Sequence, residues 1–111
     1  MRIDENNNIY MIKGDTEPLY LNLSDGIFES GDTVYLTIKK NISSETIDLQ
    51  KIITVNSDTD TINYILTNDD TKDLIAGNYK YEVKVKNKSE EYNTLIQGLL
   101  YLGDSFYDYT R

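Results

Sequence analysis

The chain has 111 residues, with 19 acidic against 11 basic side chains for a net charge of −8, and contains neither cysteine nor histidine. That length suits one domain, which can bury roughly 65% of its unfolded surface without disulfides; the composition excludes thiolate metal sites and removes the usual general base, zinc ligand and pH switch. An acidic chain is repelled by phosphate backbones and by anionic lipid, so neither nucleic acid nor a membrane is an expected partner.

Residues 1–8 are polar, include Asn6-Asn7-Asn8, and read as a flexible N-terminal arm with no hydrophobic stretch of the kind a secretory signal needs. No apolar run in the chain approaches membrane-spanning length. A short strand is expected over 9–13, followed by a turn at Gly14-Asp15-Thr16. Leu19, Leu21 and Leu23 then alternate with Tyr20 and Asn22, the period-two signature of a strand. Pro18 sits at the start of this strand, where a missing N–H costs least. Ser24-Asp25-Gly26 is a tight turn. Gly31-Asp32 opens a third strand with Val34, Leu36 and Ile38 on one face and Tyr35, Thr37 and Lys39 on the other. Gly-Asp-Thr therefore occurs twice before an alternating strand, either as a duplicated unit or, on the simpler reading, as a good strand-opening turn.

After a polar loop over 40–45, residues 47–55 read as a longer strand, and Ile62, Tyr64 and Leu66 alternate across the next. The stretch 67–74 has acidic residues early and reads as one helical turn capped by Asn68 or Thr67. Leu74-Ile75-Ala76-Gly77-Asn78-Tyr79 follows, with the spacing of a tyrosine corner between two sheets of a sandwich. In the strand it leads into, Tyr79, Tyr81, Val83 and Val85 form a dry face, and Lys80, Glu82, Lys84 and Lys86 a wet one. A hairpin loop at 87–91 returns the chain into a last strand over 92–102, where Gly98 reads as a bulge. About seven strands with turn signals every ~8–12 residues give an all-β, antiparallel β-sandwich, with a barrel as the architectural rival.

Chemistry is thinly signalled. A nucleophile would need a Ser/Thr–Lys pair or paired carboxylates, and the carboxylates here fall mostly in turns and on wet faces, so no enzyme is expected and no catalytic or cofactor-binding residue is assigned. Asp58-x-Asp60 and Asn68-Asp69-Asp70 place oxygen ligands close together in loops without an EF-hand spacing; a calcium- or carbohydrate-binding module is the alternative reading. Of the ten tyrosines, Tyr64, Tyr79 and Tyr81 read as core with hydroxyls at the rim, whereas Tyr20 and Tyr35 point to the other faces of their strands and are freer to bind. The aromatic and acidic tail over 103–111, together with the end of the last strand, is the best interaction candidate: Tyr101, Phe106, Tyr107 and Tyr109 are assigned to a partner interface. The competing reading has the tail simply completing the last strand and folding over the core.

Three stretches together resemble a known family. Ile12-Lys13-Gly14-Asp15-Thr16, then Ser24-Asp25-Gly26, then Asp32-Thr33-Val34-Tyr35-Leu36-Thr37-Ile38-Lys39-Lys40 look like the opening of immunoglobulin-like domains in phage and prophage structural proteins. Asp70-Thr71-Lys72-Asp73-Leu74-x-x-Gly77-x-Tyr79-x-Tyr81-x-Val83 is similar to a later segment of the same domains, and Gln97-Gly98-Leu99-Leu100 to their closing strand. The nearest group is the N-terminal immunoglobulin-like domain of the phage baseplate upper protein, and the resemblance covers residues 9–102. It implies an Ig-like sandwich, no catalytic residues, and a structural role in the tail or baseplate of a virion assembled in the bacterial cytoplasm. The expected partners are other virion proteins, with further copies of the chain among the candidates.

Overall fold

The computed structural model describes residues 1–23, 26–40 and 45–104. Strands β1 (Arg2–Ile3), β2 (Ile9–Ile12), β3 (Glu17–Asn22), β4 (Thr33–Lys39), β5 (Leu49–Thr54) and β6 (Thr61–Leu66) precede one helical turn, α1 (Asn68–Thr71). Strands β7 (Gly77–Lys86) and β8 (Tyr92–Gly103) follow it. They form a six-stranded sheet in the order β1-β2-β8-β7-β4-β5 and a two-stranded sheet, β3-β6. These are two separate sheets around one buried core, so the fold is an all-β sandwich and not a barrel.

The alternation in each strand decides its inward face. Val34, Leu36 and Ile38 of β4, Tyr79, Tyr81 and Val83 of β7, and Leu100 and Leu102 of β8 are buried against Leu19 and Leu21 of β3 and Ile62, Tyr64 and Leu66 of β6. Each of these side chains contributes about 1.5–3 kcal/mol by leaving water, which is why one core suffices. The Tyr64 hydroxyl crosses that core and donates to the Val34 carbonyl at 2.7 Å, tying the small sheet to the large one.

Four features differ from the expectations. The sandwich is not wholly antiparallel: β2 runs parallel to β8, pairing Ile9 with Leu100 and Ile12 with Gly103. There are eight strands among the described residues, because the segment expected as a loose arm folds back on itself. Arg2 and Ile3 pair with Tyr10 and Ile9, and the Asp4 carboxylate holds the reversal by accepting the amides of Asn6 and Asn8 at 2.9 and 3.0 Å. These backbone bonds lower the Asp4 pKa. Strand β5 begins at Leu49, two residues later than the alternation predicts.

The fourth concerns Gly98, which is regularly paired with Tyr81. The irregularity falls instead where Val83 pairs Ile96 and Lys84 pairs Thr94, leaving Leu95 as the extra residue of β8. A Cβ at Gly98 would lie 2.6 Å from the Asn7 carbonyl oxygen and 2.8 Å from Tyr81 Cε1. The glycine is there so that the N-terminal segment can approach β8 and receive the Tyr81 hydroxyl on the Asn7 carbonyl.

The turn between sandwich faces follows its sequence signature closely. Thr67 precedes α1 and donates its amide to the Asp70 carboxylate at 2.7 Å. Gly77 has φ of 145°, a backbone conformation that favours glycine. The Tyr79 hydroxyl reaches back to the Ile75 carbonyl at 2.6 Å, closing the tyrosine corner. The two Gly-Asp-Thr tripeptides share the positive φ of Gly14 and Gly31, but Asp15 is exposed and Asp32 buried. They are strand-opening turns whose acids do different work: Asp32 accepts the Glu29 amide at 2.9 Å.

Candidate protein-contact surface

The outward side chains of the six-stranded sheet form one continuous surface. Its axis is β7, which lies between β8 and β4. Because Tyr79, Tyr81, Val83 and Val85 point inward, Lys80, Glu82 and Lys84 must point out. The register then sets their neighbours: Lys39, Thr37 and Tyr35 lie across from them on β4, and Leu99, Gln97 and Thr94 on β8. A groove of about 630 Å³ runs along this row. Tyr35 and Ile47 line its β4–β5 side, and Tyr92 and Leu99 its β8 side.

The groove is locally basic on an acidic protein. Among its lining residues, Lys39, Lys80 and Lys84 face a single carboxylate, Glu82. That carboxylate is already engaged by Lys84 Nζ at 3.4 Å and Gln97 Nε2 at 3.1 Å. Among the described residues Lys80 has no carboxylate within ion-pair distance. It sits directly opposite Lys39 across the β4–β7 register.

Further along the same face, Tyr10 stacks on Tyr101 with centroids 4.7 Å apart and planes 12° from parallel. The Arg2 guanidinium lies 4.2 Å above the Tyr10 ring, completing three layers. The Tyr10 hydroxyl donates to Asp4 at 3.2 Å, and burial together with that carboxylate raises its pKa. Tyr101, assigned from the sequence to an interface, is thus half-buried under Tyr10. The other assigned residues, Phe106, Tyr107 and Tyr109, lie outside the described residues. Tyr35 lines the groove, while Tyr20 is exposed on the opposite side of the sandwich beside Asn63.

The loop carboxylates weighed for calcium are occupied within the chain. Asp58 accepts the Ser30 amide at 2.9 Å, Asp60 the Thr61 hydroxyl at 3.0 Å, and Asp69 pairs with Lys72 at 3.3 Å. Asp70 pairs with Lys51 at 2.9 Å, and the Asn68 amide donates to the Gly14 carbonyl at 2.8 Å. Among the described residues no group of three or more Asp, Glu, His or Cys side chains is arranged to hold a metal. No helix among them is long and apolar enough to cross a membrane.

Sequence reasoning gave the wet face of β7 but missed the groove, because its walls come from strands some 40 to 60 residues apart whose adjacency depends on sheet order. The pairing of two lysines across β4 and β7 was equally hidden. In comparisons with known proteins, no family model matches the chain, and no curated protein matches it.

Proposed function

We propose that this protein is a non-catalytic Ig-like structural module of a phage or prophage virion, associated with the tail or baseplate, that binds neighbouring virion proteins through the outer face of its six-stranded sheet. The observation that carries the contact reading is the basic, aromatic-walled groove along β7 on a protein of net charge −8. Such a patch concentrates binding energy in aromatic side chains and sets partner choice through charge. The virion assignment rests on the sequence resemblance of the 70–83 segment and the opening strands to phage immunoglobulin-like domains. The open edge of β5 offers a second mode of contact, since its outer backbone groups have no partner strand among the described residues.

The test is proteomic and then chemical. Particles purified from an induced culture of the strain that encodes the chain should contain it in stoichiometric amount by mass spectrometry. Cross-links from Lys80 or Lys84 should lead to one virion protein. Particles without the chain would overturn the virion role; cross-links confined to other faces would overturn the contact surface.

A further inference from the structure

We propose that the open edge of β5 pairs antiparallel with the β5 of a second copy of this chain, about a two-fold axis at Ile52, joining the two large sheets into one. This rests on the reading of that edge as a mode of contact and names its occupant.

The backbone sets which residues can pair. Val55 donates its amide to the Asp32 carbonyl at 2.8 Å and accepts the Gly31 amide at 2.8 Å, so both its polar groups turn to the β4 side. That direction alternates along a strand of an antiparallel pair. Leu49, Lys51 and Ile53 therefore bond to β4, and the N–H and C=O of Gln50, Ile52 and Thr54 turn to the open edge. Among the described residues no strand covers them. Sheet edges are normally blunted by shortness, proline or charge. The opposite edge of the same sheet, β1, is only two residues long, and β3 of the small sheet carries Pro18. On β5 the exposed side chains Gln50, Ile52 and Thr54 are uncharged, and Ile52 keeps 55% of its surface in water. The one charged residue of the strand, Lys51, is half-buried and paired with Asp70 at 2.9 Å.

The sequence of this edge selects its own counterpart. Leu49-Gln50-Lys51-Ile52-Ile53-Thr54-Val55 is nearly symmetric about Ile52. With the axis there, Ile52 meets Ile52, Gln50 meets Thr54, and Leu49 falls opposite Val55. Each pair formed by the outward residues exchanges two backbone hydrogen bonds. On the outer face Tyr35 lies beside Ile52 across the β4–β5 register, so two tyrosines and two isoleucines form one apolar row. On the inner face Leu49 and Ile53, partly buried against the core in one copy, are covered by the other. Neighbouring registers are poorer. An axis at Lys51 sets lysine against lysine, a like-charge pair, and an axis at Ile53 sets Ile52 against Thr54. The open edge of β6 lacks this symmetry, since an axis at Asn63 or Tyr64 sets the exposed Ile65 against Thr61 or Asn63. Because each strand meets its own equivalent, the contact is isologous and closes at two copies.

Sedimentation velocity on the full chain from about 1 µM to about 1 mM tests this. The expected result is a monomer–dimer equilibrium with no larger species. Each copy has a net charge of −8 and the contact holds no ion pair, so added salt should strengthen association. Ile52→Pro removes an outward N–H and no bond to β4, so the fold should persist while the dissociation constant rises about tenfold or more. Ile52→Lys and Ile52→Glu each put like charges on the axis and should each weaken the dimer about tenfold. An equimolar mixture of those two should associate more strongly than either alone, because the lysine of one copy meets the glutamate of the other. Amide exchange of Gln50, Ile52 and Thr54 should slow as concentration rises, with that of β6 unchanged. A chain monomeric throughout, a dimer that Ile52→Lys leaves intact, a mixture no stronger than its components, or a dimer whose β5 amides gain no protection would each overturn the proposal. A monomer that is nonetheless present in particles overturns this inference and leaves the virion role standing. A dimer rescued by the charge swap, with particles lacking the chain, supports it and removes the virion role.

Discussion

The amide of Gly14 donates a 2.8 Å hydrogen bond to the hydroxyl of Thr71, a residue with no exposed surface and 57 positions further along the chain. Alongside it, the Asn68 side-chain amide donates to the Gly14 carbonyl at 2.8 Å. Both polar groups of Gly14 are therefore satisfied by α1, and the β2–β3 turn is clamped to the corner that carries the chain into β7. Lys13 adds a 3.4 Å bond to the Leu74 carbonyl. One end of the sandwich is closed by this clamp and not by apolar packing alone.

Replacing Thr71 by valine keeps the volume and removes the acceptor. The buried Gly14 amide is then left without a partner, which costs about 1–3 kcal/mol. Urea denaturation should show a lower midpoint with an unchanged slope, and the Gly14 amide should become one of the faster-exchanging of the β2–β3 region. An unchanged midpoint would mean that the clamp contributes nothing to stability.

Gly98→Ala tests how the N-terminal segment is held. The added Cβ would meet the Asn7 carbonyl oxygen at 2.6 Å and Tyr81 at 2.8 Å, neither of which is the free end of a flexible chain. The segment must lift, breaking the Tyr81 to Asn7 bond and loosening β1, at a cost of about 1–3 kcal/mol. Hydrogen exchange should rise across residues 1–12 while the amides of β4 and β7 keep their protection. Retained protection of Ile9 and Met11 would refute the slot explanation.

The parts of the fold that sequence made legible are those governed by local chemistry. Alternation located the strands of the core, and Leu74-x-x-Gly77-x-Tyr79 announced a corner whose hydroxyl bond is present at 2.6 Å. Asn87 was legible as a hairpin residue, and its side chain accepts the amides of Ser89 and Glu91, both at 2.9 Å. What was not legible depends on pairs distant in sequence. Nothing local to Ile9 says that it runs parallel to Leu100, and nothing local to Gly98 says that Asn7 will sit against it. The groove is of the same kind: Tyr35, Lys80 and Leu99 each look like an ordinary outward residue until the strand order makes them neighbours. Asp70 shows both sides at once, since its place in a capping turn was readable and its 2.9 Å pairing with Lys51 was not.

That pairing predicts an acid response. Burial opposes ionisation of Asp70, but the Lys51 hydrogen bond and the Thr67 amide outweigh it and lower the pKa. A carboxyl with a depressed folded pKa contributes stability that is fully present above its unfolded value, about 3.9, and is lost as pH falls through the folded one. Wild-type stability should therefore fall below about pH 4 more steeply than that of Asp70→Asn, which should already be about 1–2 kcal/mol less stable at neutral pH through loss of the ion pair and the amide bond. Parallel curves for the two proteins between pH 5 and pH 2, compared by thermal melting, would exclude Asp70 as a source of acid sensitivity.

The alkaline limb is set by the core tyrosines. Burial pushes the Tyr81 hydroxyl up to about 12, with the Asp4 carboxylate adding to the shift, and burial alone raises Tyr64 further still. Both hydroxyls donate to backbone carbonyls, a bond that only the protonated form can make. A tyrosine whose folded pKa is raised keeps its proton in the native state after the unfolded chain has lost it. Its stabilising contribution is complete below about pH 10 and disappears as pH climbs through the folded values. Absorbance at the phenolate band should show part of the ten-tyrosine total titrating near the ordinary value and a late step that coincides with loss of near-ultraviolet circular dichroism. In Tyr81→Phe the late step should shrink by one tyrosine, and unfolding should still follow the Tyr64 ionisation. If all ten ionise together near pH 10 with the fold intact, the two hydroxyls are not held in the core as described.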